Sequence, residues 1–107
     1  MGLSTILMTT TRVLNYYMEK NNMDIFIING KKCLDKKTTF SYLKEILHLP
    51  EYFGNNLDAL SDCLHESFQN KTIIILNKEM IVNYLSSYGE ILLQVFEESG
   101  ANIIYSA

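Results

Sequence analysis

Three short runs rich in isoleucine constrain this chain more than any other feature. They are D-I-F-I-I-N from Asp24 to Asn29, K-T-I-I-I-L-N from Lys71 to Asn77, and N-I-I-Y-S from Asn102 to Ser106. β-Branched and aromatic residues in runs of this length read as strands, and Asn29-Gly30 stops the first. The first reads as a buried strand, and the apolar residues of the second do not alternate with polar ones, which predicts a strand buried on both faces. Segments of helical spacing separate the runs, as parallel strands require of their crossovers. The expected class is therefore α/β, a three-stranded parallel sheet packed with about four helices.

The crossovers carry their own punctuation. Lys31 to Lys37 is a polar connection. Thr38 or Thr39 is placed to cap a helix running to about His48, with Phe40, Leu43, Ile46 and Leu47 inward and Pro50 closing it off. A second helix spans roughly Leu57 to Phe68. Two more follow the middle strand, Lys78 to Ser86 and Tyr88 to Glu98, with Gly89 as the candidate break. The last of these has Ile91, Leu92, Val95 and Phe96 as its inward stripe and Gly100 as its C′ residue. With 107 residues, the chain is long enough for one domain with a real core and too short for two.

The second helix and the turn that feeds it, Leu49-Pro50-Glu51-Tyr52-Phe53-Gly54-Asn55-Asn56-Leu57-Asp58-Ala59-Leu60-Ser61-Asp62-Cys63-Leu64, hold the chain's most unusual surface chemistry. Pro50 disfavours helix at Leu49, and Gly54, Asn55 and Asn56 tolerate the positive backbone angles of a tight turn. Asn56 is placed as N-cap. At about 100° per residue, Leu57, Leu60, Ser61, Leu64 and Phe68 share one sector, whereas Asp58, Asp62, His65 and Glu66 lie roughly 80 to 180° from Leu57. Asp58 gains from the helix dipole, but Asp62 and Glu66 do not. No Lys or Arg is interleaved to relieve the like charges. A solvated acidic face is the bland reading of such a helix.

Charge is unevenly spread. The formal net charge is only -3, yet Arg12, Lys20, Lys31, Lys32, Lys36, Lys37 and Lys44 all precede the motif. Glu45 to Glu66 carries acids alone, and no basic residue follows Lys78. An acidic surface attracts basic proteins and repels nucleic acid, so direct nucleic-acid binding is disfavoured. Cys33 and Cys63 are too few and too far apart for a disulfide framework or a zinc site. Cys63 reads as a packed free thiol, and the expected compartment is reducing and cytoplasmic. No apolar run approaches the length of a membrane span, and no cofactor is implied.

Residues 1 to 22 stand apart from this pattern. Leu3 to Met8 is too short for a signal-peptide core, no positive charge precedes it, and no cleavage pattern follows. Arg12 to Asn21 has the spacing of a short helix through Val13, Leu14, Tyr17 and Met18. Two readings stay open: a genuine added helix, or a misassigned start or floppy extension ahead of the domain. The domain proper is expected at 23–107.

The motif resembles the signature of barstar-type ribonuclease inhibitors, L-P-E-Y-Y-G-x-N-L-D-A-L-W-D-x-L. Ile28-Asn29-Gly30, Leu93-Gln94-Val95-Phe96 and Gly100-Ala101 before an Ile-rich strand extend the resemblance over about Asp24 to Ser106. It implies a barstar-like fold and an intracellular, immunity-type inhibitor, monomeric when free, whose partner is a small basic microbial ribonuclease. It also implies site roles. Asp62 would occupy the place of the scissile phosphate, with Asp58 as the flanking electrostatic contact. Tyr52 would pack on the nuclease's catalytic histidine, Gly54, Asn56 and Leu57 would give backbone and rim contacts, and Glu98 would supply an acid from the last helix.

Departures from the signature bear on the target. Ser61 stands where the family has Trp. His65-Glu66-Ser67-Phe68 replaces a small-residue stretch ending in Trp, leaving His65 either solvated or in contact with the partner. The last helix is about one turn shorter between Glu98 and Gly100. These differences point to a related but different nuclease, and they keep open a regulatory module for a non-nuclease basic protein. A hydrolase using Asp58 and Asp62 fares badly, because no nucleophile–base pair, phosphate-cradling glycine loop or metal cluster accompanies them.

Overall fold

The computed structural model describes residues 24–106; both readings of residues 1 to 22 lie outside them. Three strands, β1 (Ile25–Asn29), β2 (Thr72–Leu76) and β3 (Asn102–Ser106), form one sheet in the order β1-β2-β3. Both pairings are parallel and unshifted, Ile27 lying opposite Ile74 and Ile74 opposite Ile104. A short 3-10 turn (Gly30–Lys32) follows β1. The helices are α1 (Lys36–Ile46), α2 (Leu57–Ser67), α3 (Lys78–Leu85) and α4 (Ser87–Glu97). Among the described residues no helix is long and apolar enough to cross a membrane.

Phe26 and Ile28 of β1 and Ile73 and Ile75 of β2 join Leu43, Leu60, Leu64, Leu92 and Phe96 in one core. Burial in β2 therefore alternates, with Ile74 and Leu76 only half-buried. That corrects the expectation of a strand shut in on both faces: the core made by the four helices meets one face of the sheet. β3 is an edge strand with no fully buried residue, and Ile104 is 43% exposed.

Local chemistry moves several boundaries. The N-cap of α1 is Asp35, whose carboxylate accepts the Thr38 N–H at 2.7 Å, not Thr38 or Thr39. An extended Asp three residues ahead of the bonded amide is a good cap, and this leaves Thr39 free to enter the core, where it is fully buried. The break between α3 and α4 is at Ser86 (φ 56°), not Gly89. Gly89 sits inside α4 because a Cβ there would lie 2.5 Å from the Ile81 carbonyl oxygen. The inward stripe of α4 is accordingly narrower than expected. Gly89, Leu92 and Phe96 are buried, Val95 is half-buried, and Ile91 is 48% exposed. Glu98 caps α4, so Gly100 (φ 93°) stands two positions beyond the cap, not one.

The Asn29-Gly30 pair closes β1 for a tertiary reason. Asn29 accepts a hydrogen bond from the Asn77 side chain at 3.0 Å, and its backbone N–H donates to the Tyr42 hydroxyl at 2.8 Å. A Cβ on Gly30 would fall 2.2 Å from the Asn77 carbonyl oxygen. The ends of β1 and β2 are thus locked together at a point where no side chain fits.

Candidate protein-binding site

The loop from Leu49 to Asn56 holds its shape through a few short-range bonds. The Phe53 N–H donates to the Pro50 carbonyl at 2.9 Å, closing a turn that turns two adjacent aromatics opposite ways. Phe53 is buried with its ring 6.1 Å from that of Phe40, whereas Tyr52 is 84% exposed. Lys44 reaches the Glu51 carbonyl at 3.3 Å and its carboxylate at 3.5 Å, pinning the outer edge of the loop to α1.

Asn56 joins loop to helix. Its side-chain oxygen accepts the Ala59 N–H at 2.7 Å, and its amide donates to the Gly54 carbonyl at 3.1 Å. Of the three turn residues expected to adopt positive φ, only Asn55 does (55°), with Asn56 extended at −145°. Gly54 is needed for space: a Cβ there would approach the Asn56 amide to 3.2 Å.

Along α2, Leu60 and Leu64 are fully buried and Leu57 half-buried, which fixes the helix rotation. Asp58, Asp62, His65 and Glu66 are exposed, and Ser61 is half-buried at their border. Among the described residues neither aspartate has an ion-pair partner. Three carboxylates therefore stand along one exposed ridge with no internal cation, a surface fit for a cationic partner. His65 keeps to its own helix, its Nδ1 lying 2.8 Å from the Ser61 carbonyl oxygen. A carbonyl only accepts, so Nδ1 carries the proton and Nε2 is the acceptor of the neutral ring.

Glu98, the C-cap of α4, is exposed and its carboxylate accepts a hydrogen bond from the Gln94 side chain at 2.9 Å. The residue that ties the two helices together is Gln69, which gave no sign in the sequence. Its amide donates to the His65 carbonyl at 3.1 Å and to the Ser99 carbonyl at 2.9 Å, bridging the C-terminal ends of α2 and α4. The bond to Ser99 spans 30 residues, so no local pattern announces it. Glu66, placed on the acidic face by its spacing, continues the ridge one turn beyond Asp62 and is exposed. A shallow cleft beside the ridge is lined by Leu49, Pro50, Tyr52, Cys63 and Glu66.

The family described as Barstar (barnase inhibitor) matches residues 23–103, nearly all of the described region. A curated relative in Bacillus subtilis (strain 168), named "Putative ribonuclease inhibitor YrdF", is 35% identical over 74 residues, covering 68% of this chain and 81% of the relative. The parallel three-stranded sheet, its four helices and the capped acidic helix agree with those matches. The chain belongs to the barstar family.

Proposed function

We propose that this protein is an inhibitor of a small basic microbial ribonuclease, not an enzyme, and that it acts by seating the loop and α2 in the nuclease active site. The observation that carries this reading is the pair Asp58 and Asp62, exposed one turn apart on a helix whose start is fixed by Asn56 and which offers them no cation of its own. A carboxylate reproduces the charge and the paired oxygens that a phosphate presents to arginine, and such charge-assisted bonds are strong once water is excluded. Asp62 takes the place of the scissile phosphate, and Asp58 and Glu98 contribute charge beside it. Tyr52 supplies an apolar platform at the rim, with Gly54, Asn56 and Leu57 giving close backbone contact. Ser61 and His65 form the border that departs most from the family signature and so set target choice. The protein acts as a free monomer in the cytoplasm, without a cofactor and without touching nucleic acid itself.

The test is inhibition of basic microbial ribonucleases by the wild type and by Asp62→Ala. Removing one member of a buried charge pair leaves the partner's cations uncompensated, which costs about 3–5 kcal/mol, or roughly a hundred- to several-thousand-fold in affinity. Asp62→Ala should therefore lose most inhibition while its unfolding transition stays where the wild type's is. Equal inhibition by both proteins sinks the reading. Failure to inhibit any such nuclease, with capture of a basic partner of another kind through the same aspartates, favours the regulatory module instead.

A further inference from the structure

The lysines gathered ahead of the acidic motif have no place in the reading above. From Gly30 to Phe40 the chain carries Lys31, Lys32, Lys36 and Lys37 against a single acid, Asp35. The Asp35 carboxylate is committed to the Thr38 N–H, the main reason it sits below its ordinary value, and Lys37 contributes less. Among the described residues no carboxylate lies within ion-pair distance of Lys36 or Lys37. Like charges so close repel one another, and an external anion relieves that repulsion.

Lys36 and Lys37 line an open cleft of about 310 Å³ together with Ser41, Asn55 and Tyr88. The Lys36 Nζ stands over the Tyr88 ring, 4.2 Å from its centroid. Tyr88 meets Phe40 edge-on at 6.3 Å, and Phe40 packs on Phe53 at 6.1 Å. A ring so braced holds the ammonium in position before any ligand arrives. The same aromatic row ties the cleft to the loop that feeds α2, for Phe53 and Asn55 both belong to that loop. The loop therefore borders two clefts of opposite charge, one with Tyr52 and Glu66, the other with Lys36, Lys37 and Asn55.

We propose that the second cleft is a carboxylate subsite, which takes an acidic side chain of the protein partner while the α2 ridge takes the partner's cations. The proposal rests on the reading of α2 as the partner-binding helix. The volume lies at the lower limit of small-molecule sites, enough for one side chain. Two ammonium groups, with the Ser41 hydroxyl and the Asn55 amide as further donors, offer a carboxylate charge-assisted hydrogen bonds. The neighbouring ridge favours a protein over a nucleic acid, because Asp58, Asp62 and Glu66 repel a phosphate backbone laid along the same surface. A partner that fits both clefts carries an acid beside its basic patch, and opposite charges paired in this way fix the orientation in which two surfaces dock.

The test measures binding kinetics toward a basic ribonuclease, or another basic protein that the wild type binds. Three variants are compared: Lys36→Ala with Lys37→Ala, Asp62→Ala, and Lys31→Ala with Lys32→Ala, whose lysines do not line the cleft. The Lys36, Lys37 variant should dissociate roughly tenfold faster or more. The Lys31, Lys32 variant should change association alone, and only at low salt. Lys37→Glu leaves the Lys36–Tyr88 contact in place and should repeat the loss with an unchanged urea midpoint. Loss of binding by Asp62→Ala but not by the Lys36, Lys37 variant or Lys37→Glu overturns the subsite and leaves the α2 reading standing. The reverse result leaves the subsite and overturns the α2 reading. Both fall if no variant changes the affinity or if no basic protein binds. Equal losses in the two lysine pairs also overturn the subsite, since a general field would then explain them. So does binding of a labelled single-stranded RNA that Lys36→Ala with Lys37→Ala abolishes, which would make the occupant a phosphate.

Discussion

The side-chain amide of Gln69 fills the space that a Cβ on Gly100 would occupy, its Oε1 lying 2.4 Å and its Nε2 2.6 Å from that position. Gly100 also has a φ of 93°, a region that side chains rarely adopt. The glycine thus serves two ends at once, turning the chain from α4 into β3 and admitting the glutamine that braces α2 against α4.

Gly100→Ala is expected to destabilise the protein by about 1–3 kcal/mol, from backbone strain and displacement of Gln69. Gln69→Ala should cost about 1–2 kcal/mol through two lost hydrogen bonds. The double variant, followed by urea denaturation, should fall short of the sum, because once Gln69 is gone the new methyl has room.

Asn56→Ala should cost about 1 kcal/mol of stability, as helix N-caps generally do. It also releases the Gly54 carbonyl, a bond that Asn56→Asp loses too because a carboxylate cannot donate. Both variants should therefore lose affinity for the partner, while only Asn56→Asp keeps the cap and its stability. Binding calorimetry and thermal unfolding of the two variants separate these effects.

Asp58→Ala and Glu98→Ala should act mainly on encounter. Each is expected to slow association by roughly three- to tenfold at low salt, with little change in dissociation. Screening shortens the reach of a charge to about 8 Å at physiological ionic strength, so the difference from wild type should shrink as salt is added. Stopped-flow association rates at several salt concentrations check this.

The Thr39 hydroxyl is buried with no well-formed hydrogen bond, its polar neighbour being the weakly bonding Cys33 thiol. Thr39→Val exchanges that hydroxyl for a methyl of the same shape. Stability should rise by about 1 kcal/mol in urea denaturation, because the cost of keeping an unmatched polar group from water is removed.

Stability should decline on the alkaline side. Burial pushes the Cys33 thiol up from its ordinary value of 9.0 to about 11. Burial, followed by the hydrogen bond to Glu97, also raises the Tyr105 phenol. Both groups hold their protons more tightly when folded. The stability from Cys33 is fully present below pH 9 and is lost as pH rises through about 11, whereas that from Tyr105 begins to fall only above its ordinary value of 10.0. Thermal midpoints should hold to about pH 9 and then fall. Cys33→Ala, although less stable at neutral pH, should fall less steeply between pH 9 and 11.

Much of the site was legible in the chain because its determinants are local. The Asn56 cap and the rotation of α2 depend on residues within one or two turns of each other, and so does the spacing of Asp58 and Asp62. The cap of α1 was misread even so, because Thr38 and Thr39 are capping residues too, and burial of Thr39 in the core takes it out of that competition. Gln69 went unnoticed because it matters only through Ser99, which the fold brings to it across an intervening strand and two helices.

By itself, the sequence determined that the strands are short and parallel, that helices connect them, and that one helix begins at Asn56 with its acids facing out. Periodicity, turn chemistry and capping act over a few residues and leave their mark in the order of side chains. Only the tertiary structure decided which face of the sheet meets the helices, why Gly30 and Gly89 stand where another backbone passes too close for a Cβ, and how α4 is held against α2. Those outcomes depend on surfaces that meet across long stretches of chain, and side-chain order along one segment carries no record of which distant segment will press against it.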